Sequence, residues 1–462
     1  MTLEVVALAD FGSTFTKLTL VEAATGRRVA SAASPTTVAS DVMEGYATAL
    51  EAALGEAGEP CNVVDRLAAS SAGGGLRVAA IGLVDDYTAA AARQAALNAG
   101  AKVELVLTGQ LQQDDLAALG EARPDIVLFS GGTDGGQSRH ILANADALAE
   151  TQITAHVLVA CNCDVAPTVA ARLEARGVSA LPVANVLPAI DQLDIEPARA
   201  AMRELFIEHV IMGKGLSETQ EFGRAVVMPT PEAVLVATQL LSKGPGGKGG
   251  WGDLLVADIG GATTDVHSSI RLHRLPIGIT PKGLPPLPLA RSVQGDLGMR
   301  WNAPTVLEAD TTWIAGQAGE SAERLEQRCR ERREAPDYLA ATRDEAAFDR
   351  LLAVSCLTHA LGRHCGRIST VYVPGQGARF VQEGLDLRAL PTVIGTGGML
   401  VRDEKGAHSL ELALERREKG SLIPDGASIV IDTSYILAAA GLLASRHPDL
   451  AFHLMTSELT HP

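Results

Sequence analysis

Val5-Val6-Ala7-Leu8-Ala9-Asp10-Phe11-Gly12-Ser13-Thr14 and Leu254-Leu255-Val256-Ala257-Asp258-Ile259-Gly260-Gly261-Ala262-Thr263-Thr264-Asp265 share one design. In each, an apolar strand runs into an aspartate, a glycine and a cluster of hydroxyl residues. Glycine lets a tight turn bring backbone N–H groups up to phosphate oxygens, the hydroxyls add donors, and the aspartate can hold Mg²⁺ or its waters. One D-x-G after a strand reads equally well as an ordinary turn. Two threonine-rich copies, both set on strands, point instead to a pair of loops that clamp a nucleoside triphosphate.

After the first loop, Thr16 to Val21 alternates like a strand, Ala24-Thr25-Gly26 turns, and Arg28 to Ala32 continues the sheet. This pattern is a hairpin over a ligand, and the chain lacks the Walker G-x-x-x-x-G-K-[ST] run of a strand-to-helix phosphate loop. Lys17, on the second strand, either reaches a phosphate or faces solvent. Further on, Thr392-Val393-Ile394 leads into Gly395-Thr396-Gly397-Gly398, a strand ending in a glycine pair where a flat ring can lie on bare backbone.

Between Arg77 and Asn185 short apolar strands alternate with amphipathic helices. Val78 to Leu83, Lys102 to Leu107, Asp125 to Phe129, His156 to Ala160 and Ala180 to Val183 read as strands. Helices are expected at Thr88 to Asn98, capped by Thr88 and closed by Gly100, at Asp114 to Leu119 and at Val165 to Arg176. This is a doubly wound αβ unit set in the first half. Its loop Ser130-Gly131-Gly132-Thr133-Asp134-Gly135-Gly136 follows a strand, where open αβ sheets place ligands, and is either a ligand contact or a flexible turn. Asp134 is a candidate to orient an attacking water.

The chain of 462 residues is long enough for two domains or more, and 47% hydrophobic with 20% charged residues places it among ordinary globular proteins. Aromatics make up only 3%, so packing must rely on small aliphatic contacts. A formal charge of -16 argues against nucleic acid, whose binding rests on neutralising phosphates with Lys and Arg. A phosphate ligand must then be held by backbone N–H groups and a cation. The run Arg324 to Arg333 is interleaved with Glu326 and Glu331 and is expected to form a solvated helix face. No signal peptide or membrane-spanning stretch is read, and six scattered cysteines suggest reduced thiols, so a cytoplasmic protein is expected. The glycines of Ser242 to Gly252 suggest a flexible connection between a first half, 1–245, with the αβ unit inserted at about 77–190, and a second half, 250–462. Near the end, Thr433-Ser434 is expected to cap a helix from Tyr435 to Ser445.

The ordered set of two phosphate-type loops and a glycine-ended strand resembles the nucleotide site of the actin, sugar-kinase and Hsp70 ATPase superfamily. Longer strings narrow the resemblance: Asp10-Phe11-Gly12-Ser13-Thr14-Phe15-Thr16-Lys17, Gly131-Gly132-Thr133-Asp134-Gly135-Gly136, Asn185-Val186-Leu187-Pro188, Met228-Pro229-Thr230-Pro231, Asp258 to Ser268, Gly295-Asp296-Leu297-Gly298-Met299-Arg300 and Gly395-Thr396-Gly397-Gly398. Together they are similar to the glutamate mutase accessory proteins, the GlmL or MutL family unrelated to mismatch repair, over nearly the whole chain. The resemblance implies an actin-like α/β fold of two ribonuclease H-like halves. It implies ATP and Mg²⁺ as cofactors and, as partner, a coenzyme-B12-dependent carbon-skeleton mutase whose damaged cobalamin is released by ATP hydrolysis in the interdomain cleft.

Carried over to this sequence, Asp10 and Asp258 would organise Mg²⁺ or water. Gly12, Ser13, Thr14, Gly260, Gly261 and Thr263, with Thr264 beside them, would meet phosphates, while Gly395, Thr396, Gly397 and Gly398 would meet adenosine. The sequence departs from the pattern at Ala262, where Hsp70-like loops carry a third glycine, and at Gly384-Leu385-Asp386-Leu387, where the family has G-K-D-L. His359 and His364 lie on one helical stretch without the i, i+4 spacing of a metal pair and read as structural. His267 either touches a phosphate or packs in the sheet. A small-molecule kinase and a scaffold ATPase remain as rival readings. An iron–sulfur activator of the same superfamily is disfavoured by the cysteine pattern.

Overall fold

The computed structural model describes residues 2–151, 153–210, 216–217, 219–373 and 377–459. The chain divides into two compact units, one of Met1–Ala23, Val29–Ala233 and Gly283–Pro285, the other of Ala24–Arg28, Val234–Lys282 and Pro286–Pro462.

In the first unit, β1 (Leu3–Phe11) turns back antiparallel into β2 (Phe15–Glu22), followed by β3 (Arg28–Pro35) and β4 (Cys61–Ser70). β4 runs parallel to β1 on its other side. With neighbours on both edges, β1 is buried from Val5 to Ala9, which is why it is a continuous apolar run and not an alternating one.

The αβ unit follows as β5 (Arg77–Gly82), β6 (Lys102–Thr108), β7 (Ile126–Gly131), β8 (His156–Cys161) and β9 (Ala180–Pro182), all parallel and ordered β6-β5-β7-β8-β9. Its core joins Ile81, Val127, Phe129, Val157 and Val159 to Ile141 and Leu148 of the helix Arg139–Ala149. One local expectation needs correction. A π-helical turn, Asp85–Ala89, precedes the helix Ala90–Asn98, and the Thr88 hydroxyl accepts from the Leu83 and Val84 amides at 2.8 and 3.0 Å. Thr88 therefore ties the turn back to β5 and does not cap the helix. Gly100 closes that helix at φ +80° as expected.

β10 (Val226–Pro229) completes the first sheet alongside β4, giving β10-β4-β1-β2-β3. The second unit carries β11 (Leu254–Ile259), β12 (Thr264–Ser269), β13 (Ile279–Lys282), β14 (Leu289–Gln294), β15 (Arg367–Val373), β16 (Gly377–Glu383), β17 (Thr392–Thr396) and β18 (Ser428–Ile431). Its main sheet is ordered β14-β12-β11-β17-β18, with β12 antiparallel to β11 and to β14, and with β17 and β18 parallel. Numbered within each half, both sheets read 3-2-1-4-5 and share the β1–β2 hairpin. The fold is thus the duplicated, ribonuclease H-like α/β architecture of actin-like ATPases. The second core lies between this sheet and the helix Arg343–His364, where Leu352, Leu357 and Leu361 meet Leu255, Ala257 and Val266.

Other local expectations change in the second unit. The glycine-rich segment after the helix Thr230–Lys243 is a bonded turn: Trp251 N–H donates to the Leu241 carbonyl at 2.9 Å and Gly252 N–H to the Ser242 carbonyl at 3.0 Å. The arginine run forms the helix Ala322–Glu334, but Arg328 and Arg332 are buried. Their spacing of one turn directs them inward onto Asp349 and Glu345, with both guanidiniums over the Phe348 ring at 4.4 and 4.6 Å. The helix Ile436–Ala444 is capped by the buried Asp432, whose carboxylate takes the Ile436 and Leu437 amides, while Ser434 donates to Glu458. Asp432 escapes the sequence pattern because it lies before a left-handed residue, Tyr435 at φ 52°, that delays the helix start. Among the described residues no helix is long and apolar enough to cross a membrane.

Candidate functional site

In the first unit the hairpin register places Asp10 opposite Lys17 and Phe11 opposite Thr16. The Gly12 amide closes the turn against the Asp10 and Phe15 carbonyls at 3.1 and 3.2 Å, leaving Ser13 and Thr14 exposed at its tip. The Thr230 hydroxyl, at the head of the helix Thr230–Lys243, donates to Asp10 Oδ1 at 2.6 Å. Burial pushes the Asp10 carboxyl above its usual range, while the Lys17 ammonium and the Thr230 hydroxyl pull the other way. Lys17 is half-buried beside the carboxylate and does not point freely into solvent. In the sequence Thr230 stands only as part of a motif; its role shows once β10 is seen to lie at the sheet edge.

In the second unit β11 and β12 repeat the hairpin, with Asp258 opposite Asp265 on one side and opposite Thr396 of β17 on the other. The Gly260 amide donates to the Thr263 carbonyl at 2.8 Å, as Gly12 does to Phe15. Asp265 is fixed by Arg291, whose Nε donates to Oδ1 at 2.9 Å, and by the Thr263 hydroxyl at 3.0 Å. Thr264 is fully buried and its hydroxyl donates to the Leu297 carbonyl at 2.7 Å. Strand alternation thus turns it away from the loop, against the expectation that it adds a phosphate donor.

The string Gly295 to Arg300 buttresses this loop. Gly298 lies against the Ala262 backbone so closely that a Cβ would overlap it. The Met299, Arg300 and Trp301 amides donate to the Gly260 and Gly261 carbonyls at 3.1, 2.8 and 3.0 Å, and Asn302 Nδ2 donates to the Ala262 carbonyl at 2.7 Å. The loop is therefore held from behind, and Ala262 in place of a third glycine is accommodated by a glycine in the supporting segment. Gly397, at φ +102°, presses on the Ile259 carbonyl, so the glycine pair is packed directly beside the Asp258 loop. Gly395 and Gly398 flank it, while the Thr396 hydroxyl donates inward to Asp432 at 3.3 Å.

The glycine loop of the αβ unit is built differently. Asp134 accepts from the Cys163 amide at 3.0 Å and from Asn185 Nδ2 at 2.9 Å, and the Gly132 carbonyl accepts from the same Asn185 at 3.0 Å. Burial raises the Asp134 carboxyl, but the Asn185 and Cys163 bonds outweigh it and hold it below its usual range. Asp134 thus locks together the loops that follow β7, β8 and β9. Among the described residues no hydrogen bond joins Gly131, Gly132, Thr133 or Asp134 to the Asp10 loop.

His267 is fully buried and His364 bridges Ser268 and Ser292 through hydrogen bonds of 2.9 Å each. Burial lowers His364 to about 4 and His267 well below its usual value. Both imidazoles are neutral packing groups at physiological pH.

A carboxylate at a strand end and hydroxyls on the adjoining turn make a hard-oxygen set that suits Mg²⁺, and hydroxyls can also donate to phosphate. The first unit supplies Asp10, Ser13 and Thr14 to such a set, and the second supplies Asp258 and Thr263.

Residues 6–459 match the family model described as MutL protein. "Protein MutL" of Clostridium tetanomorphum is 38% identical over 455 residues, covering 98% of each chain. Among solved structures the chain is similar to a glycerol dehydratase reactivase, at 13% identity and a TM-score of 0.33 over 96% of this chain and 99% of that one. It is also similar to the activator of the 2-hydroxyisocaproyl-CoA dehydratase from Clostridium difficile with bound ADPNP, at 10% identity and a TM-score of 0.31 over 97% and 95%. The match along almost the entire length of this chain to the family model and to the curated relative establishes that it belongs to the MutL family, the glutamate mutase accessory family.

Proposed function

We propose that this protein is an ATP-dependent reactivating chaperone for an adenosylcobalamin-dependent carbon-skeleton mutase of the glutamate mutase type. The observation that carries the reading is the repetition of one aspartate-glycine-hydroxyl hairpin on equivalent strands of two sheets with the same order. Asp10 and Asp258 would hold Mg²⁺ or its waters, and that ion, when bound, offsets charge on the β and γ phosphates. Ser13, Thr14 and Gly261 would donate to phosphate oxygens, Gly12 and Gly260 would set the tight turns that bring them there, Thr263 would contact phosphate if its hydroxyl turned from Asp265, and Lys17 adds a positive charge beside Asp10. Gly397 and Gly398 offer bare backbone to the adenosine.

Hydrolysis in this reading rests on positioning and electrostatics, with no covalent intermediate on the protein. Work on the client follows from differential affinity: if the ATP and ADP forms bind the mutase unequally, each turnover shifts it between a tight and a loosened state. The first test is Mg²⁺-dependent ATP hydrolysis by the purified chain. Formation of ADP and free phosphate with no added acceptor supports the reading, whereas ADP formation only with a hydroxylated small molecule, which takes up the γ-phosphoryl group in place of water, would establish a kinase.

A further inference from the structure

In the first unit β10, β4 and β1 run parallel and side by side, and their register lines up the three strand ends. Phe11 of β1 pairs with Ser70 of β4, and Ser70 pairs with Pro229 of β10, so the residues that follow, Gly12, Ser71 and Thr230, emerge at one level. Side chains alternate along a strand. Asp10, paired with Ala69, therefore points to the face opposite Phe11 and Ser70, and the next position of β4 on the Asp10 face is Ser71. The ladder carries that far: the Ser71 amide donates to the Phe11 carbonyl at 2.9 Å, and Ser71 keeps an extended φ of -120°. Thr230 supports the placement from the far side, since its hydroxyl reaches over the end of β4 to Asp10 Oδ1 at 2.6 Å. At that level β4 carries only the buried methyl of Ala69.

The two hydroxyls beside Asp10 differ in what they can still donate. Thr230 has its proton committed to the carboxylate, whereas Ser71 is half-buried and, among the described residues, its hydroxyl makes no hydrogen bond. The chain beyond Ser71 borders open space. Gly73, Gly74 and Gly75 have φ of 62°, 86° and 64°, a left-handed run that other residues adopt at a cost. A Cβ added at Gly74 would meet nothing within 4 Å, so its backbone and not a crowded neighbour calls for glycine. The turn that carries Ser13 and Thr14 joins β1 to β2, on one side of Asp10, and Ser71 stands on the other, beyond β1. Donors on opposite flanks of one carboxylate suit different oxygens of a polyphosphate. The terminal phosphoryl group has three non-bridging oxygens, so it can take a further donor after a metal ion and the turn are satisfied.

We infer that Ser71, at the head of the Gly73–Gly75 loop, donates its hydroxyl proton to the terminal phosphoryl group of the nucleotide and so distinguishes ATP from ADP at the Asp10 site. The inference rests on the function proposed above and names a residue through which that site reads its ligand. A chaperone driven by ATP needs its two nucleotide forms to differ, and a donor that only the γ-phosphate engages supplies such a difference.

The test is titration calorimetry of the purified full chain with Mg²⁺ and either a non-hydrolysable ATP analogue or ADP, on the parent, Ser71→Ala and Ser71→Thr. We expect Ser71→Ala to bind the analogue about tenfold or more weakly while its ADP affinity stays within about twofold of the parent. Ser71→Thr keeps the hydroxyl and is expected to bind the analogue within about threefold of the parent. Preserved ADP affinity also shows that the variant is folded. Equal loss for both ligands would make Ser71 a packing residue, and unchanged affinity for both would leave its hydroxyl without a phosphate. A selective loss that Ser71→Thr shares in full would tie the effect to loop shape and not to the hydroxyl. Each of these results overturns the inference and leaves the reactivase reading standing, whereas binding of neither nucleotide by the parent would overturn both.

Discussion

Asp10 and Asp258 occupy equivalent strand-end positions in two different settings. Asp10 is answered by Thr230 and Lys17, while Asp258 stands in a cross-strand row with Asp265 and Thr396. Replacing either by asparagine keeps shape and hydrogen bonding but removes the charge a divalent ion needs. Steady-state hydrolysis is expected to fall about a hundredfold or more in Asp10→Asn and in Asp258→Asn, and near-normal turnover in both would remove these residues from the reaction. Arg291 plays a structural part, since its guanidinium is 2% exposed and bonded to Asp265. Arg291→Met strands that carboxylate, at a cost of about 3 kcal/mol, visible as a lower urea midpoint with unchanged slope. Asp10 and Asp258 were legible from the sequence because strand, aspartate and glycine are adjacent in it. Thr230, Arg291 and Asp432 were not, because each reaches its partner through a fold contact between distant or irregular segments.

At the level of elements, what distinguishes a phosphate loop from a turn is what stands behind it. The second hairpin is backed by Gly298 and by amides running from Met299 to Trp301, and it is flanked by Gly397. Gly298→Ala is expected to push the Ala262 backbone outward and lower hydrolysis at least about tenfold while the circular dichroism spectrum stays unchanged. Gly397→Ala combines a left-handed backbone with overlap on Ile259 and is expected to weaken ATP binding more than it slows turnover at saturation. The strands β1, β5, β7, β8 and β11 are readable in the sequence as apolar runs, since burial on both faces writes itself as unbroken hydrophobic residues, whereas the order in which they pair, and strands such as β4, β10, β14 and β18, show only in the fold. The arginine-rich helix departs from its expected solvated face because alternating charges look solvated until a second helix supplies Asp349 and Glu345. The glycines of Ser242 to Gly252 mark a bonded turn for a related reason: composition reports backbone freedom, and hydrogen bonds from Trp251 and Gly252 then use it up.

For the molecule as a whole, acid should act first on the second unit. His364, lowered to about 4, and His267, lowered well below its usual value by burial, stay neutral in the folded state after the unfolded chain has begun to bind protons. Between about pH 6.5 and 4 the unfolded state therefore takes up protons that the folded state refuses, so stability falls as pH falls and is constant in this respect above that window. Urea midpoints followed from pH 7.5 to 4.5 should drop, and His364→Asn should flatten part of the slope; a midpoint independent of pH would contradict the burial of both rings. The two halves repeat one hairpin chemistry, and family membership ties that chemistry to glutamate mutase accessory proteins. The most direct test loads glutamate mutase with hydroxocobalamin, adds this protein with Mg²⁺ and ATP, and follows free cobalamin by its visible spectrum. The account predicts release that requires hydrolysable ATP and is lost in Asp10→Asn. Release at the same rate without nucleotide, or hydrolysis with the cobalamin still bound, would contradict it.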